Sequence, residues 1–587
     1  MPISLEERER KLRDLLSRLT NSPLYRDKLD GHDTSRIGLA DLRSLPLTTK
    51  SELRAAGTFG YLAVPKEQIA QYHESTGTTG EPSVSWFTLE DIETGGRQLR
   101  ECGVSLASDD MVLIRFPYAM SLPAFLMQDA CWRTGAGIVP ASGRTVVTPY
   151  PRVLELMKKL GVTVIAGLPR EMELLAETSR LLGQQPSWDY PSLRAICVAG
   201  ELLSDARRRH IERLWGVPVF NMYGSTETAN IAVMCEHGVL HVTEQDFIVE
   251  ALTEDGIHPV AEGERGFAAI TTLSHRASPL LRYFNEDIVA VAPHRCPCGR
   301  DGAALTHYGR ARERMTFGTT TLDSQDVQEA VYSLVPAPDA WRVVEQERGL
   351  HVLLDSHRSE EWSEEAVRIQ LSRRLRVPVT VEIAAGGVLL DREELLRYVP
   401  STKPIYIHRL QRRVDPVSEL LSRGRELFMI GDYNGAKAAF EEAIVVNERN
   451  AESHAWLAAA YGRLIEAGNM LEKIKLLPIF ENEVRASLEI DPLHPFARRM
   501  NGSRLLNTPE SLGGNPGLAL GEFQYSLGHG LDDADLWVSL GQCYVKLGHA
   551  DKALEAVQAA LRREPDNRKA RRLLEELQEE DEERKEG

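Results

Sequence analysis

The run Tyr72-His73-Glu74-Ser75-Thr76-Gly77-Thr78-Thr79-Gly80-Glu81-Pro82 lies ahead of the strand-like Ser83-Val84-Ser85-Trp86-Phe87 and sets the reading of the chain around it. Gly77 and Gly80 free the backbone to turn its N–H groups toward one point, and Ser75, Thr76, Thr78 and Thr79 crowd hydroxyls around that point, which suits a polyphosphate. It is not a Walker loop, because Glu81-Pro82 stands where Lys-Ser or Lys-Thr would follow the last glycine. An ordinary Ser/Thr/Gly turn has the same composition. The decision therefore rests on what accompanies the loop.

Downstream, a helical pattern over 89–102 is followed by apolar strand-like runs at 111–116, 137–140, 162–166, 195–199 and 217–220, with helical patterns at 151–160 and 170–182 between them. Strands alternating with helices predict an α/β layer with parallel strands. From about 238 to 291, short strands and Gly/Asp turns read as a smaller β-rich unit. Upstream, residues 1 to about 60 read as helices, with Leu45-Pro46-Leu47-Thr48-Thr49-Lys50 as a turn that caps a helix starting at Ser51. A boundary near Gly309-Arg310 opens a small α+β module that ends near Arg413. From Pro416 the pattern is helical and repeats: Trp537, Leu540, Gly541, Tyr544, Ala553, Ala560 and Pro565 have the spacing of one tetratricopeptide repeat. Gly424, Leu427, Ala436, Phe440 and Ala443 fit the same template, and Leu457, Ala458 and Tyr461 follow about one period later. The expected organisation is a large domain over 1–308, a small domain over 309–413, an all-α solenoid over 416–578 and an acidic tail over 579–587.

Composition bounds the function. The formal net charge is −17 over 587 residues, which disfavours a broad nucleic-acid surface. Seven cysteines, an odd number spread over a long chain, predict a reducing compartment. A charged N-terminus without an apolar signal core, and no run of about 18 uncharged apolar residues, predict a cytoplasmic protein without a membrane span.

Four further elements stand beside the loop. Asn221-Met222-Tyr223-Gly224-Ser225-Thr226-Glu227 puts an aromatic face, a glycine, two hydroxyls and a carboxylate in one turn, a set able to stack a base, touch a phosphate and hold Mg2+; a polar strand-to-helix cap is the plain alternative. Asp287, in Arg282-Tyr283-Phe284-Asn285-Glu286-Asp287, can accept from two adjacent hydroxyls. Gly309-Arg310 and Pro400-Ser401-Thr402-Lys403 complete the set.

In this order and spacing, over roughly residues 1 to 410, the elements resemble the adenylate-forming superfamily and its phenylacetate–coenzyme A ligase branch. Leu45-Pro46 with Thr48-Thr49-Lys50, Ala199-Gly200-Glu201, Leu240-His241 and Cys296-Pro297-Cys298-Gly299-Arg300 add to the likeness. The resemblance implies that a carboxylic acid attacks the α-phosphate of ATP, giving an acyl adenylate and pyrophosphate, and that coenzyme A thiol then displaces AMP. It implies a cradle for the β- and γ-phosphates from Ser75, Thr76, Gly77, Thr78, Thr79 and Gly80, with Gly200, Glu201 and Gly224 beside the nucleotide. Tyr223 would lie on adenine, Thr226 at the α-phosphate and Glu227 at the metal. Asp287 and Arg310 would bind the ribose hydroxyls, and Lys403, on the mobile small domain, would bridge carboxylate and phosphate. By position in the pattern, Tyr118, Met120, Pro169 and Ala199 would line an acyl pocket whose apolar character favours an aromatic or hydrophobic acid.

The chain departs from the family where Glu81 replaces a lysine, where Arg312-Glu313-Arg314 replaces an Asp-rich hinge, and where Thr402 replaces a glycine. These changes leave open an amine or carrier-protein thiol as acceptor, AMP transfer onto a cofactor, or a non-catalytic scaffold. Cys235, His237, Cys296 and Cys298 offer four ligands for a structural zinc, with His241 or His294 as substitutes for His237. His73 reads as a buried histidine ahead of the loop. The repeats imply a protein or peptide partner.

Overall fold

A computed structural model describes residues 4–75, 82–256, 258–397, 405–409, 416–564 and 566–586. The chain divides into two compact units, Met1–Leu410 and Gln411–Gly587.

The first unit is an α/β structure whose main sheet has twelve strands among the described residues. Its parallel half runs in the order Gly137–Val139, Met111–Ile114, Val164–Gly167, Ala195–Ala199, Val219–Ser225. Val164–Gly167 and Ala195–Ala199 are buried at every position, as strands covered on both faces must be. Side chains alternate between two cores. Val112, Ile114, Val164, Ala166 and Cys197 face Leu126 and Met127 of the Pro123–Thr134 helix, whereas Leu113, Ile165, Ile196 and Val198 face Val153, Met157, Ile211 and Trp215.

The strand expected over 217–220 runs on to Ser225 and turns back through a hairpin into Ala229–Met234, with Met222 opposite Val233. That hairpin reverses the direction of the sheet. The antiparallel strands Leu240–Val242, Asp301–Arg310, Tyr283–Arg295, Gly266–Thr272 and Phe247–Leu252 then extend the same sheet, so the β-rich text over 238–291 adds to the large sheet. The Tyr223–Glu227 turn is correspondingly strand-to-strand. Gly224 is required there, because a Cβ would collide with the Ala229 carbonyl across the hairpin.

Near the N-terminus, Thr48–Thr49 pairs in parallel with Tyr283 and Phe284. Thr49 then caps the Lys50–Ala55 helix in a reciprocal box with Glu52. Two hairpins, Ile69–Glu74 with Val84–Thr88 and Met315–Phe317 with Thr320–Leu322, form small sheets of their own, and the end of the unit is a four-stranded sheet in the order Val379–Ala385, Gly349–Ser356, Ala340–Gln346, Ile407–His408. Its core joins Val343, Leu350, Val352 and Leu354 to Val327 and Val331 of the Ser324–Tyr332 helix and Leu371 of the Glu364–Leu375 helix.

The second unit is helical, from Pro416–Met429 to Arg568–Glu586. Its pairs nest by a large-small rule. A Cβ on Gly424 would run into the Phe440 ring, and one on Gly502 would come within 2.7 Å of Phe523. Gly541 faces Val557 and Leu573 in the same way. The irregular middle copies correspond to the 21-residue helix Met470–Ile490, with Pro478 inside it, and to the Pro495–Asn507 and Pro516–Gly528 pair. Among the described residues, no helix is long and apolar enough to cross a membrane.

Candidate active site

The parallel strands end on one edge of the sheet, at Arg115, Gly167-Leu168-Pro169, Ala199-Gly200-Glu201 and Tyr223-Gly224-Ser225. Ligands of open α/β sheets bind at the carboxyl ends of strands. Sheet register brings the nucleotide candidates together there. Asp287 and Arg310 are partners across the Tyr283–Arg295 and Asp301–Arg310 strands, and Arg310 Nε lies 3.7 Å from Asp287 Oδ1. The Tyr223 hydroxyl donates to Asp287 Oδ2 at 2.8 Å.

Two residues not singled out from the sequence complete this corner. Asn285 Nδ2 donates to Asp287 Oδ2 at 3.1 Å, and the His307 ring lies 4.8 Å from that of Tyr223, with its Nε2 3.8 Å from Asp287 Oδ1. Burial pushes the Asp287 carboxyl up, but the His307 imidazole and the Arg310 guanidinium outweigh it and hold the group below the usual carboxylate range. Asp287 therefore stays an acceptor-only carboxylate, as a pair of ligand hydroxyls requires.

Thr226 is half-buried at the turn, and Glu227 is buried. Glu227 Oε1 has no hydrogen bond and faces the ammonium of Lys50 at 3.5 Å. Read from the sequence as part of a capping turn and of a phrase that adds to the family likeness, Lys50 is thus a cation at this edge, held by the capped helix beside the Thr48–Thr49 strand. The nearest local signal for it is Thr49 with Glu52, which marks the helix start but not its target.

On the approach to the loop, Ser75 exchanges two bonds with Ser83: its N–H donates to the Ser83 carbonyl, and the Ser83 N–H donates to Ser75 Oγ, both at 2.9 Å. Thr76, Gly77, Thr78, Thr79, Gly80 and Glu81, and Pro400, Ser401, Thr402 and Lys403, lie outside the described residues. An aromatic file follows the strand edge: the rings of Phe87 and His73 lie 5.6 Å apart, those of His73 and Phe125 5.5 Å, and those of Phe125 and Tyr118 5.3 Å. Burial pushes the His73 imidazole down to about 4 and the Tyr118 phenol up to about 12, so both rings are neutral at ordinary pH. The Met120 carbonyl accepts from the Glu74 N–H at 3.2 Å, and the Met120 side chain is exposed. Ala199 and Tyr118 belong to the same apolar cluster as Phe87. Pro169 is buried at the first position of the Pro169–Leu181 helix. Gly200 has φ +80°, and Glu201 pairs with Arg207 at 3.2 Å.

The cysteine set assembles with one substitution. Cys235, Cys296, Cys298 and His241 have ligand atoms all within 4.8 Å of one another, with Cys235 Sγ 3.7 Å from Cys296 Sγ and Cys298 Sγ 3.5 Å from His241 Nε2. The imidazole of His237 is instead turned to Glu236 at the surface, 4.0 Å away and half exposed. The reason is register: His241 lies opposite Val233 and Ala304 in the sheet, which carries its ring to the side where both cysteine turns end. A tetrahedral site with metal–sulfur bonds of about 2.3 Å has edges of about 3.8 Å, so these separations fit zinc. Burial lowers the His241 pKa, keeping the neutral imidazole that ligation needs.

Comparison with known proteins agrees with this architecture. Residues 34–249 match the family model described as AMP-binding enzyme, and residues 513–577 match a tetratricopeptide repeat model. The chain is 32% identical over 290 residues to phenylacetate-coenzyme A ligase of Thermus thermophilus and 31% identical over 287 residues to that of Escherichia coli K12. These stretches cover 47% and 46% of this chain and 63% of either relative; the match thus spans just under two thirds of their length. Among solved structures, 2-hydroxyisobutyryl-CoA ligase in the postadenylation state, in complex with 2-HIB-AMP, superposes with a TM-score of 0.61 at 18% identity, over 71% of this chain and 90% of that one. The likeness at that identity establishes the adenylate-forming fold.

Proposed function

We propose, for a chain that carries an AMP-binding enzyme domain homologous to phenylacetate–coenzyme A ligases together with a C-terminal tetratricopeptide repeat, that it activates a small carboxylic acid with ATP and transfers the acyl group to coenzyme A. The observation that carries this reading is the convergence of Tyr223, Asp287 and Arg310 beside Glu227 and Lys50 at the carboxyl edge of the sheet.

The acid's carboxylate oxygen attacks the α-phosphorus, forming the acyl–phosphate bond as the bond to pyrophosphate breaks. In the second step the thiol sulfur attacks the acyl carbonyl and AMP leaves. The first step brings an anion to a polyanion, so its barrier falls mainly through fixed positive charge and donors. Asp287 with Arg310 holds the ribose, Tyr223 offers its ring to the base, and Thr226 offers a hydroxyl to the α-phosphate. Gly77, Gly80 and their hydroxyl neighbours cradle the outer phosphates. Lys50 supplies an ammonium beside Glu227, and Lys403 follows the charge from carboxylate to phosphate as a compact cation. The buried, hydrogen-bond-free oxygen of Glu227 fits a hard cation; bound there, Mg2+ supplies neutralising charge on the phosphates. The neutral aromatic file of Tyr118, Phe125 and His73, with Ala199, Met120 and Pro169, favours an aromatic or hydrophobic acid.

A second reading keeps adenylation and changes the acceptor to an amine or a carrier-protein thiol. It is left open by the departure at Arg312-Glu313-Arg314, where Arg314 Nε donates to Asp323 at 2.7 Å and Arg409 donates to the Arg314 carbonyl. Pyrophosphate release with a panel of acids tests adenylation, and AMP release only after coenzyme A addition separates the two acceptors.

Zinc at Cys235, His241, Cys296 and Cys298 serves as a crosslink between sheet turns. Metal analysis of the purified chain is expected to find about one zinc per chain, with a lower melting temperature after chelation; a metal-free chain of unchanged stability would refute it. The repeats are read as the docking site of a protein or peptide.

A further inference from the structure

Within the first unit, a charged cluster lies between the carboxyl edge of the large sheet and the four-stranded module. At its centre is Arg207, fully buried in the first turn of the Asp205–Trp215 helix. Its Nε donates to Glu173 Oε1 at 2.8 Å and its Nη1 to the Leu202 carbonyl at 3.1 Å. Three oxygens surround Nη2: Glu173 Oε2 at 3.2 Å, the Tyr406 hydroxyl at 3.1 Å and Glu201 Oε2 at 3.2 Å. A guanidinium Nη carries two protons, so one of the three acceptors is always short. In this arrangement it is Glu201, neither of whose buried carboxylate oxygens has a hydrogen bond.

The other acceptors lead into the module. The Tyr332 hydroxyl donates to Glu173 at 2.8 Å, and Arg170 bridges Glu173 and the Asp339 carbonyl at 3.0 and 2.9 Å. Tyr406 stacks on Trp341 at 4.6 Å and stands three residues after Lys403 in the sequence. The amides of Ser204 and Ala206 donate to Gln328 and Glu329 of the module helix at 2.7 and 2.6 Å. Replacing buried ions by well-packed apolar side chains is often neutral or stabilising, so holding the interface does not by itself call for them. An interface whose central donor is oversubscribed can exchange partners at little cost.

We propose that Arg207 is a positioning residue that couples the state of Glu201, at the nucleotide edge, to the seating of the module through Tyr406. A nucleotide that supplies Glu201 with a donor leaves both Nη2 protons to Glu173 and Tyr406 and tightens the module; an empty edge lets Glu201 compete for them. The proposal rests on the nucleotide reading above, and its test separates the two.

Hydrogen–deuterium exchange is measured on the full chain with and without AMP, for the wild type, Tyr406→Phe and Glu201→Gln. Tyr406→Phe keeps the ring stack and removes only the hydroxyl. It is expected to raise exchange about threefold or more in Ala340–Gln346 and Ile407–His408 while leaving Val164–Gly167 unchanged. In the wild type AMP is expected to protect both 199–201 with 283–287 and the module strands; in both variants the first protection persists and the second is lost. Protection of the nucleotide edge with an unaltered module response in the variants would overturn the role of Arg207 alone. No AMP protection of that edge in the wild type would overturn the nucleotide reading and the coupling with it. Arg207→Lys supplies a kinetic check: keeping the charge but not the fork, it is expected to lower kcat for adenylation with KM for ATP nearly unchanged, and an equal change in both would count against coupling.

Discussion

Buried polar atoms are handled differently in the two units. In the sheet unit, buried side-chain atoms without a hydrogen-bond partner are spread widely, from Arg18 Nε and Gln98 Oε1 to Trp341 Nε1, and they include Glu227 Oε1, both oxygens of Glu201, Ser83 Oγ and His73 Nδ1 along the carboxyl edge and the strands that flank the glycine-rich loop. In the repeat unit, Arg425 Nε is alone in that condition among the described residues. There Ser487 Oγ donates to the Ala451 carbonyl at 2.7 Å and Ser526 Oγ to the Pro495 carbonyl at 2.9 Å. His454 meets Glu483 at 2.6 Å and the Glu448 carbonyl at 3.0 Å. An unmet buried group costs about 1–3 kcal/mol. The unmet oxygens of Glu227 and Glu201 are therefore acceptors open to a ligand at that edge, whereas the repeat unit meets nearly all of its described buried polar atoms internally.

The contrast breaks most visibly at the charges that act in the transition state. Lys403→Ala is expected to lower the adenylation rate by ~10²-fold or more while ATP affinity stays within a few-fold. Parallel loss of binding and turnover, read from nucleotide titration beside pyrophosphate release, would remove it from that role. Glu227→Gln neutralises a carboxylate whose buried Oε1 has no hydrogen bond to lose, with the Lys50 ammonium at 3.5 Å beside it. It is expected to cut adenylation roughly 10- to 100-fold with a melting temperature equal to or above that of the wild type, the trade between site and stability. A clear fall in melting temperature would make Glu227 a structural ion-pair partner of Lys50.

In the repeat unit the expectation reverses. Phe523, fully buried against Gly502, should cost about 3–5 kcal/mol when changed to alanine and leave pyrophosphate release untouched; chemical denaturation and the acid assay on the same sample check both halves.

The smallest effect is a pH dependence. His454 has an acceptor on each ring nitrogen, so only the imidazolium satisfies both. The Glu483 hydrogen bond raises its pKa against the opposing effect of burial. A raised folded value stabilises the charged form, so the contribution is complete below the ordinary imidazole pKa of about 6.5 and is lost as pH rises through the folded value. The melting advantage of wild type over His454→Gln should therefore be greatest on the acid side and shrink toward alkaline pH. An advantage independent of pH would make the contact a neutral hydrogen bond.

How much of this was legible in the sequence follows from the range of the interactions involved. The parallel strands were readable because each is a short apolar run between helical stretches, and the repeats because Gly424 and Gly541 recur with large and small partners at the repeat spacing; Gly502, in the irregular middle, shows its place against Phe523 only in the structure. Asp287 and Arg310 were found through a motif, and their contact is a consequence of strand register. His237 looked the better ligand because it stands two residues from Cys235, yet a spacing of two in an irregular turn fixes no direction for the side chain.

Local sequence determined the alternation of strands and helices, the capped turn at Thr49, the repeat period and the types of residue available for chemistry, since these depend on neighbours within a few positions. Tertiary structure alone decided that His241 joins the three cysteines, that Lys50 faces Glu227, and that Arg207 is shared among Glu173, Glu201 and Tyr406. Each of those contacts joins side chains from separate elements. Which atoms meet is set by sheet register and helix packing, and no local pattern encodes that.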